Sequence, residues 1–447
     1  MKRSLILTLL LAALAQAVEA PYALRCNLVR DPSPSVVSYP PLHFSWLVDG
    51  KRLADRQSAY QIVISSTPAR ARNAEADVWD SGWIQSDEPV HAGYGGPRLM
   101  AGQTYCWRVR IRTAALQTTL YSQVQTFRIA AEDSNLFSRE NNDWRDRDAL
   151  RQTRLTPQRV VQKGPGRYFL DFGRAAFATL EFPRYIAGSE SLTIHLGEVL
   201  AEADSIHRQP GGSRRYRKMI CSQAEISGDL LRIAGDKRNT GGEAVLVPRG
   251  LFEVLPFRYV ELENVPARLK PEGIKQVALH NYFDENAADF SCSSPVLNDI
   301  WDLCKYSIKA TSFLGVYVDG DRERIPYEGD AYINQLSHYA VDAEYALSRY
   351  TIQYLFHHPT WPVEWQQHMV LMAWADHMYT GRSDLLAFYY QDLSAKTLLA
   401  LTRDDGLMVE DRSLMSKELL RSLRLTQPPR ILVDWPPADF TKNSRYG

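Results

Sequence analysis

The hydrophobic period of this 447-residue chain changes once, near Ser294, and that change limits the folds open to it. Before it, short runs alternate apolar and polar residues between Pro, Gly, Asp and Ser: His43-Phe44-Ser45-Trp46-Leu47-Val48, Tyr60-Gln61-Ile62-Val63-Ile64, Tyr105-Cys106-Trp107-Arg108-Val109-Arg110 and Thr126-Phe127-Arg128-Ile129. Alternation puts successive side chains on opposite faces of a strand, so residues 21–132 are expected to form an antiparallel β-sandwich. A second all-β region, a sandwich over 135–285, follows the polar linker Arg139-Glu140-Asn141-Asn142-Asp143. Its strands are expected at 168–172, 179–182, 192–196 and 258–262, and the Gly-, Arg- and Ser-rich stretch 205–217 is expected as a surface loop.

After Ser294 the spacing is helical. Ser294 can cap a helix with Pro295 in its first turn, and apolar residues recur at Leu297, Trp301, Cys304 and Ile308. A further stripe runs through Leu336, Tyr339, Ala343, Leu347, Tyr350 and Tyr354, and another through Leu386, Tyr390, Leu393 and Thr397. Breaks fall at His358-Pro359-Thr360, Thr380-Gly381 and Asp404-Asp405-Gly406. Helical hairpins without a fixed repeat length favour an α/α toroid over a solenoid. Roughly six helices are expected where a closed toroid needs about twelve, so 286–447 is expected to be an incomplete toroid in a chain cut short.

Charge and targeting narrow the function. Lys and Arg number 52, as do Asp and Glu, so no basic field exists to draw the chain to nucleic acid. Lys2-Arg3, an apolar run from Leu5 to Ala15 and small residues at Ala15, Ala17 and Ala20 have the layout of a signal peptide over 1–20. A secreted or periplasmic protein follows, with no integral membrane segment once the signal is removed. Five scattered cysteines do not make a disulfide scaffold, although Cys26 and Cys106 could pair.

The densest chemistry lies in Asp319-Gly320-Asp321-Arg322-Glu323-Arg324-Ile325-Pro326-Tyr327-Glu328-Gly329-Asp330. Carboxylates and guanidiniums bind sugar hydroxyls, an aromatic ring covers C–H faces, and one carboxyl group can move a proton. A calcium loop is excluded by Arg324, which stands where such a loop needs glycine. Glu364 and His368 lack a second histidine at metal spacing, so neither a metal nor a cofactor is expected.

With its two β modules and α-hairpin domain, Asp321-Arg322-Glu323-Arg324 followed by Tyr327, Gly329 and Asp330 resembles the signature of family 78 glycoside hydrolases, the bacterial α-L-rhamnosidases. Pro359-Thr360-Trp361-Pro362-Val363-Glu364-Trp365, Met372-Ala373-Trp374-Ala375-Asp376 and Val433-Asp434-Trp435 fit the same resemblance. The chain departs from the common pattern in a shifted leading Asp and in Tyr327, where Trp is usual. The first β module resembles a fibronectin type III domain, with tryptophans expected in its core.

The resemblance implies an inverting glycosidase that removes terminal rhamnose from plant glycosides or pectic side chains. It makes Glu323 the general acid and Asp319, Asp321, Arg322, Arg324, Tyr327, Asp330, Trp361, Trp365, Asp434 and Trp435 the substrate-binding residues. The general base is expected beyond residue 447. Two other functions remain open on the residues alone: a non-catalytic secreted carbohydrate-binding remnant, and another α/α-toroid glycosidase or lyase.

Overall fold

The computed structural model describes residues 18–28, 30, 36–37, 42–50, 55–129, 150–183, 191–222, 226–227, 229–248 and 250–432. Most of the expected signal peptide, the linker at 139–143, and Asp434 with Trp435 lie outside them. The chain divides into two compact units, the first ending near Arg139 and the second holding almost all that follows.

The first unit is mostly β. Strands Tyr22–Cys26, His43–Leu47 and Ala92–Gly93 form one sheet. A second has the order Val36–Val37, Gln125–Ile129, Thr104–Thr113, Gln57–Ser65 and Trp79–Asp80, with Ile84–Gln85 also on Gln57–Ser65. Trp46 and Trp107 are fully buried, as expected of core tryptophans, and Phe44 packs on Trp107 with ring centroids 4.5 Å apart. The Trp46 indole N–H donates to Gln57 Oε1 at 2.9 Å, which satisfies the one polar atom the ring takes inside. Cys26 and Cys106 are both buried and free, so the conceivable disulfide is not formed.

The second unit begins with a nine-stranded sheet. Its central order is Leu150–Leu155, Lys275–Asn281, Arg167–Glu181, Leu255–Glu263, Leu192–Gly197 and Tyr216–Cys221. Leu170, Leu180, Ile194, Phe257, Val260 and Leu262 are among the side chains of its core. The two strands expected at 168–172 and 179–182 are one strand, Arg167–Glu181, bent by a register shift between Asp171 and Ala176. Gly173 makes the bend: its φ of 84° is open to glycine, and its N–H donates to Asp171 Oδ1 at 2.7 Å. The stretch read as a surface loop begins with strand Ser205–Ile206 and ends inside Tyr216–Cys221.

One short helix, α1 (Pro68–Arg72), belongs to the first unit. In the second, α2 (Pro295–Thr311), α3 (Glu328–Val341), α4 (Ala346–His357), α5 (Val363–Thr380), α6 (Asp384–Phe388), α7 (Tyr390–Lys396) and α8 (Lys417–Ser422) follow the sheet. Pro295 opens α2 as expected, but the Ser294 side chain makes no capping hydrogen bond, and Asn298 instead ties the entry by bonding both the N–H and the carbonyl of Cys292. Of the stripe expected to be apolar and inside, Ile308 is buried while Leu297 and Cys304 are exposed. The helix packs on the sheet and on α3 with a different face. The stripe from Leu336 to Tyr354 is split between α3 and α4. There Glu344 accepts from the N–H groups of Ala346 (2.6 Å) and Leu347 (3.3 Å), an acidic cap that restarts the helix without Gly or Pro. Among the described residues no helix is long and apolar enough to cross a membrane.

Candidate active site

The charged motif lies on the connection from α2 to α3, and apolar residues ahead of it fix where it emerges. Phe313, Leu314, Val316, Tyr317 and Val318 are all buried. Phe313 stacks on Phe177 of the bent strand at 3.8 Å between centroids, and Tyr317 bonds His338 of α3 at 2.7 Å. The loop is thereby clamped between the sheet and the helices. Gly320, at φ 95°, lets the chain reverse, and Asp319 and Ile325 close the turn. The Asp319 N–H donates to the Ile325 carbonyl (3.1 Å), and the Ile325 N–H donates to Asp319 Oδ1 (3.2 Å).

The side chains of the loop then divide between two faces. Asp321 and Arg324 bond to the sheet domain, although Asp321 also lines the cleft. Asp321 accepts from Arg215 at 2.6 Å, from Asn239 at 2.9 Å and from Arg324 at 2.9 Å. Arg324, only 1% exposed, also pairs with Glu253 at 2.8 Å and donates to the Val254 carbonyl at 3.1 Å. Its backbone has φ 58°, a left-handed conformation that costs a side-chain-bearing residue on the order of 1–3 kcal/mol. The network over-determines that conformation and holds it. Arg324, expected to contact substrate, is buried in this network and is not among the residues that line the cleft.

The other face is open. Asp319, Asp321, Arg322 and Asp330 line a cleft of about 340 Å³. Its opposite wall comes from the sheet domain, with Phe177, Glu198, Ser213 and Pro256. Arg322 Nε lies 3.3 Å from both Asp319 Oδ2 and Glu323 Oε1, so one guanidinium links the two carboxylates. Neither Arg322 Nε nor Asp319 Oδ2 makes a hydrogen bond within the protein, although both atoms are buried. Glu323 is 38% exposed and accepts from the Tyr327 hydroxyl at 2.8 Å. The Tyr327 ring meets Trp365 of α5 edge-on at 5.3 Å, and a Cβ on Gly329 would come within 3.1 Å of that indole. Glycine at 329 thus lets α3 start directly against Trp365. Trp361 lies apart from the cleft residues, 43% exposed beneath the Arg430 guanidinium. Glu328, the fifth carboxylate of the motif, points into the helical core and accepts from the Thr360 N–H at 2.9 Å.

Burial pushes the Asp319 carboxyl up to about 6. The Ile325 N–H and Arg322 oppose that shift, and the charges of Glu323 and Asp330 add to it. Glu198 is likewise raised, first by burial and then by Asp321, with the Arg215 N–H opposing. The folded chain therefore holds the Asp319 proton more tightly than the unfolded chain, whose carboxyl titrates near 3.8. Stability from this group falls as pH rises from that value through about 6. Above that window the buried charge is a penalty on the order of 1 kcal/mol, allowing for solvent screening. Asp319→Asn is expected to melt roughly 2–4 °C higher than the parent near neutral pH and to match it near pH 4, by calorimetry. A lower melting temperature at neutral pH would contradict this.

Reading the sequence missed the sheet-domain half of the site. Arg215, Asn239 and Glu253 reach the loop across 106, 82 and 71 residues, and Arg215 comes from the stretch read as a surface loop. Local composition held one signal, an excess of arginine over carboxylate at 207–217, which is what a distant acidic partner would need.

Three family models match successive stretches of the chain. The "Rha78A-like, N-terminal immunoglobulin domain" matches residues 21–132, in place of the expected fibronectin type III-like module. The bacterial alpha-L-rhamnosidase concanavalin-like domain matches 161–280, and the bacterial alpha-L-rhamnosidase 6 hairpin glycosidase domain matches 285–416. An alpha-L-rhamnosidase of Formosa agariphila is 30% identical over 92 residues, covering 21% of this chain and 10% of that protein. One of Streptomyces avermitilis is 40% identical over 67 residues, covering 15% of this chain and 6% of that protein. These matches span a tenth or less of either relative's length.

Among solved structures, the alpha-L-rhamnosidase of Dictyoglumus thermophilum shares the fold with TM-score 0.61 at 14% identity. It covers 90% of this chain and 68% of that one. The Streptomyces avermitilis alpha-L-rhamnosidase complexed with L-rhamnose has TM-score 0.61 at 11% identity, covering 88% and 72%. An immunoglobulin-like, a concanavalin-like and a six-hairpin domain thus follow one another in the order of these enzymes, and the chain belongs to the bacterial α-L-rhamnosidase family.

Proposed function

We propose that this chain carries the general acid of a secreted inverting glycosidase that removes terminal α-L-rhamnose from plant glycosides or pectic side chains. The observation that carries this reading is the ion pair in the cleft, Asp319 Oδ2 and Arg322 Nε at 3.3 Å, whose two buried atoms make no hydrogen bond inside the protein. The ion pair leaves the hydrogen-bonding capacity of both atoms unused, which is costly inside a protein, and vicinal sugar hydroxyls can donate to the first and accept from the second.

In this reading Asp319, Arg322 and Asp330 hold the rhamnose hydroxyls, while Asp321 and Arg324 fix the loop from behind. Glu323, the exposed carboxyl beside them, protonates the glycosidic oxygen. Tyr327 orients it through the 2.8 Å hydrogen bond, and Trp365 backs the tyrosine ring. The family resemblance adds Trp361, Asp434 and Trp435 as further contacts. The helices from α2 onward are read as an open part of an α/α toroid. Inversion also requires a water-activating carboxylate about 6.5–9.5 Å across the sugar from the acid.

The full-length protein is expected to release phenol from an aryl α-L-rhamnoside and not from aryl β-glucoside or α-L-arabinofuranoside. Equal turnover of the three would overturn the rhamnose assignment.

A further inference from the structure

We propose that Glu328 and Lys396, a buried carboxylate and a buried ammonium outside the cleft, are positioning residues for the general acid, and that their network sets the Tyr327–Trp365 contact that aims Glu323. The proposal rests on the active-site reading above and extends it into the helical core.

The chain of bonds comes first. Glu328, fully buried at the start of α3, accepts from the Thr360 N–H at 2.9 Å and from the Thr360 hydroxyl. The Thr360 carbonyl accepts from Gln366 Nε2 at 2.7 Å, and Gln366 Oε1 accepts from Lys396 Nζ at 2.6 Å. Lys396, equally buried at the end of α7, also reaches the Leu423 carbonyl at 3.5 Å. Thr360 and Gln366 thus link an anion on α3 to a cation on α7, and the start of α5 is held between them.

The two charges depend on each other. Burial pushes the Lys396 ammonium down to about 8 and the Glu328 carboxyl up, and in each case the partner's charge opposes the shift. Removing one leaves the other buried without its compensation.

Placement along the chain gives the network its target. Glu328 directly follows Tyr327, whose hydroxyl donates to Glu323 at 2.8 Å. Gln366 directly follows Trp365, which meets the Tyr327 ring edge-on at 5.3 Å. Each ring of that contact is therefore one residue from an anchored, fully buried side chain. A shift of α3 against α5 moves the Tyr327 hydroxyl, and with it the Glu323 carboxyl, relative to the glycosidic oxygen. Misplacement by about 1 Å is enough to cost roughly a hundredfold in rate. Apolar side chains of similar volume pack helices as well as a buried charge pair does. What they lack is direction, because each hydrogen bond here fixes one particular atom where α3 and α5 begin.

Kinetics of the full-length protein on a rhamnosyl disaccharide and on 4-nitrophenyl α-L-rhamnoside test this, with the melting temperature followed in parallel. Lys396→Met removes the cation alone, whereas Glu328→Gln combined with Lys396→Met leaves no buried charge and keeps a neutral acceptor for Thr360. The double variant is expected to melt within about 4 °C of the parent. Its kcat on the disaccharide is expected to fall about tenfold with KM within about twofold, and its kcat on the aryl rhamnoside less than about threefold. The single variant is expected to show the same selectivity and to melt lower. A merely structural role would lower both rates alike, in proportion to the folded fraction. The proposal is overturned if the double variant keeps the parent's ratio of disaccharide to aryl turnover, or if its defect lies in KM alone. Glu323→Gln is the reference for the site. A selective loss on the disaccharide there, with none in the double variant, removes this inference only; an equal loss on both substrates there removes the active-site reading, and this inference with it.

Discussion

Glu323→Gln in the full-length protein is expected to lower the turnover of rhamnosides by about two to four orders of magnitude while leaving substrate binding within a few-fold. Glutamine keeps the shape of the side chain and an oxygen that can accept from Tyr327, 2.8 Å away in the parent. It cannot give a proton to a departing oxygen. The loss should therefore depend on the leaving group. A 4-nitrophenolate leaves with little help and should lose least, whereas a sugar alcohol needs the proton and should lose most. Rates of the variant on an aryl rhamnoside and on a rhamnosyl disaccharide measure this directly. An equal loss on both would make Glu323 a binding group, and near-normal rates would remove it from the site.

The second large effect is on stability. Arg324→Met is expected to destabilise the second unit by about 3–5 kcal/mol, because it leaves carboxylates inside without their cation. Arg324 is 1% exposed, holds Asp321 and Glu253, and lies 5.4 Å over the Phe313 ring that stacks on the sheet. Methionine can fill much of the volume but supplies none of the charge. Removing a whole buried network can be neutral, while removing one member is not. Denaturant titration, following the transition of the unit that contains residue 324, gives the difference. A change below about 1 kcal/mol would mean that Arg215 and Asn239 alone hold the loop.

Legibility in the sequence followed distance along the chain. The alternating runs around Trp46 and Trp107 place strands His43–Leu47 and Thr104–Thr113 correctly, because a half-buried strand writes its pattern into neighbouring residues. The motif from Asp319 to Asp330 is equally local, so its residue types alone raise the expectation of a polyol site. What local pattern could not disclose is which charges are tied to the sheet domain. Asp321 and Arg324 sit between Gly320 and Tyr327 with the same chemistry as Asp319 and Arg322, yet they face Arg215, Asn239 and Glu253 across the domain boundary. The helix break after Val341 was hidden for a related reason. It depends on the Glu344 carboxylate capping Ala346 and Leu347, not on a Gly or Pro. The bend of Arg167–Glu181 did carry a mark, Gly173, but a glycine between two apolar runs reads equally well as the end of a strand.

The claim that organises all of this is that rhamnose sits in the Asp319–Asp330 cleft with its glycosidic oxygen on Glu323. A crystal structure of the Glu323→Gln full-length protein with a bound rhamnosyl disaccharide tests it most directly. The account predicts the glycosidic oxygen within about 2.6–3.2 Å of the residue-323 amide and ring hydroxyls on Asp319, Arg322 and Asp330. A sugar bound elsewhere, or a glycosidic oxygen out of hydrogen-bond reach of residue 323, would contradict it.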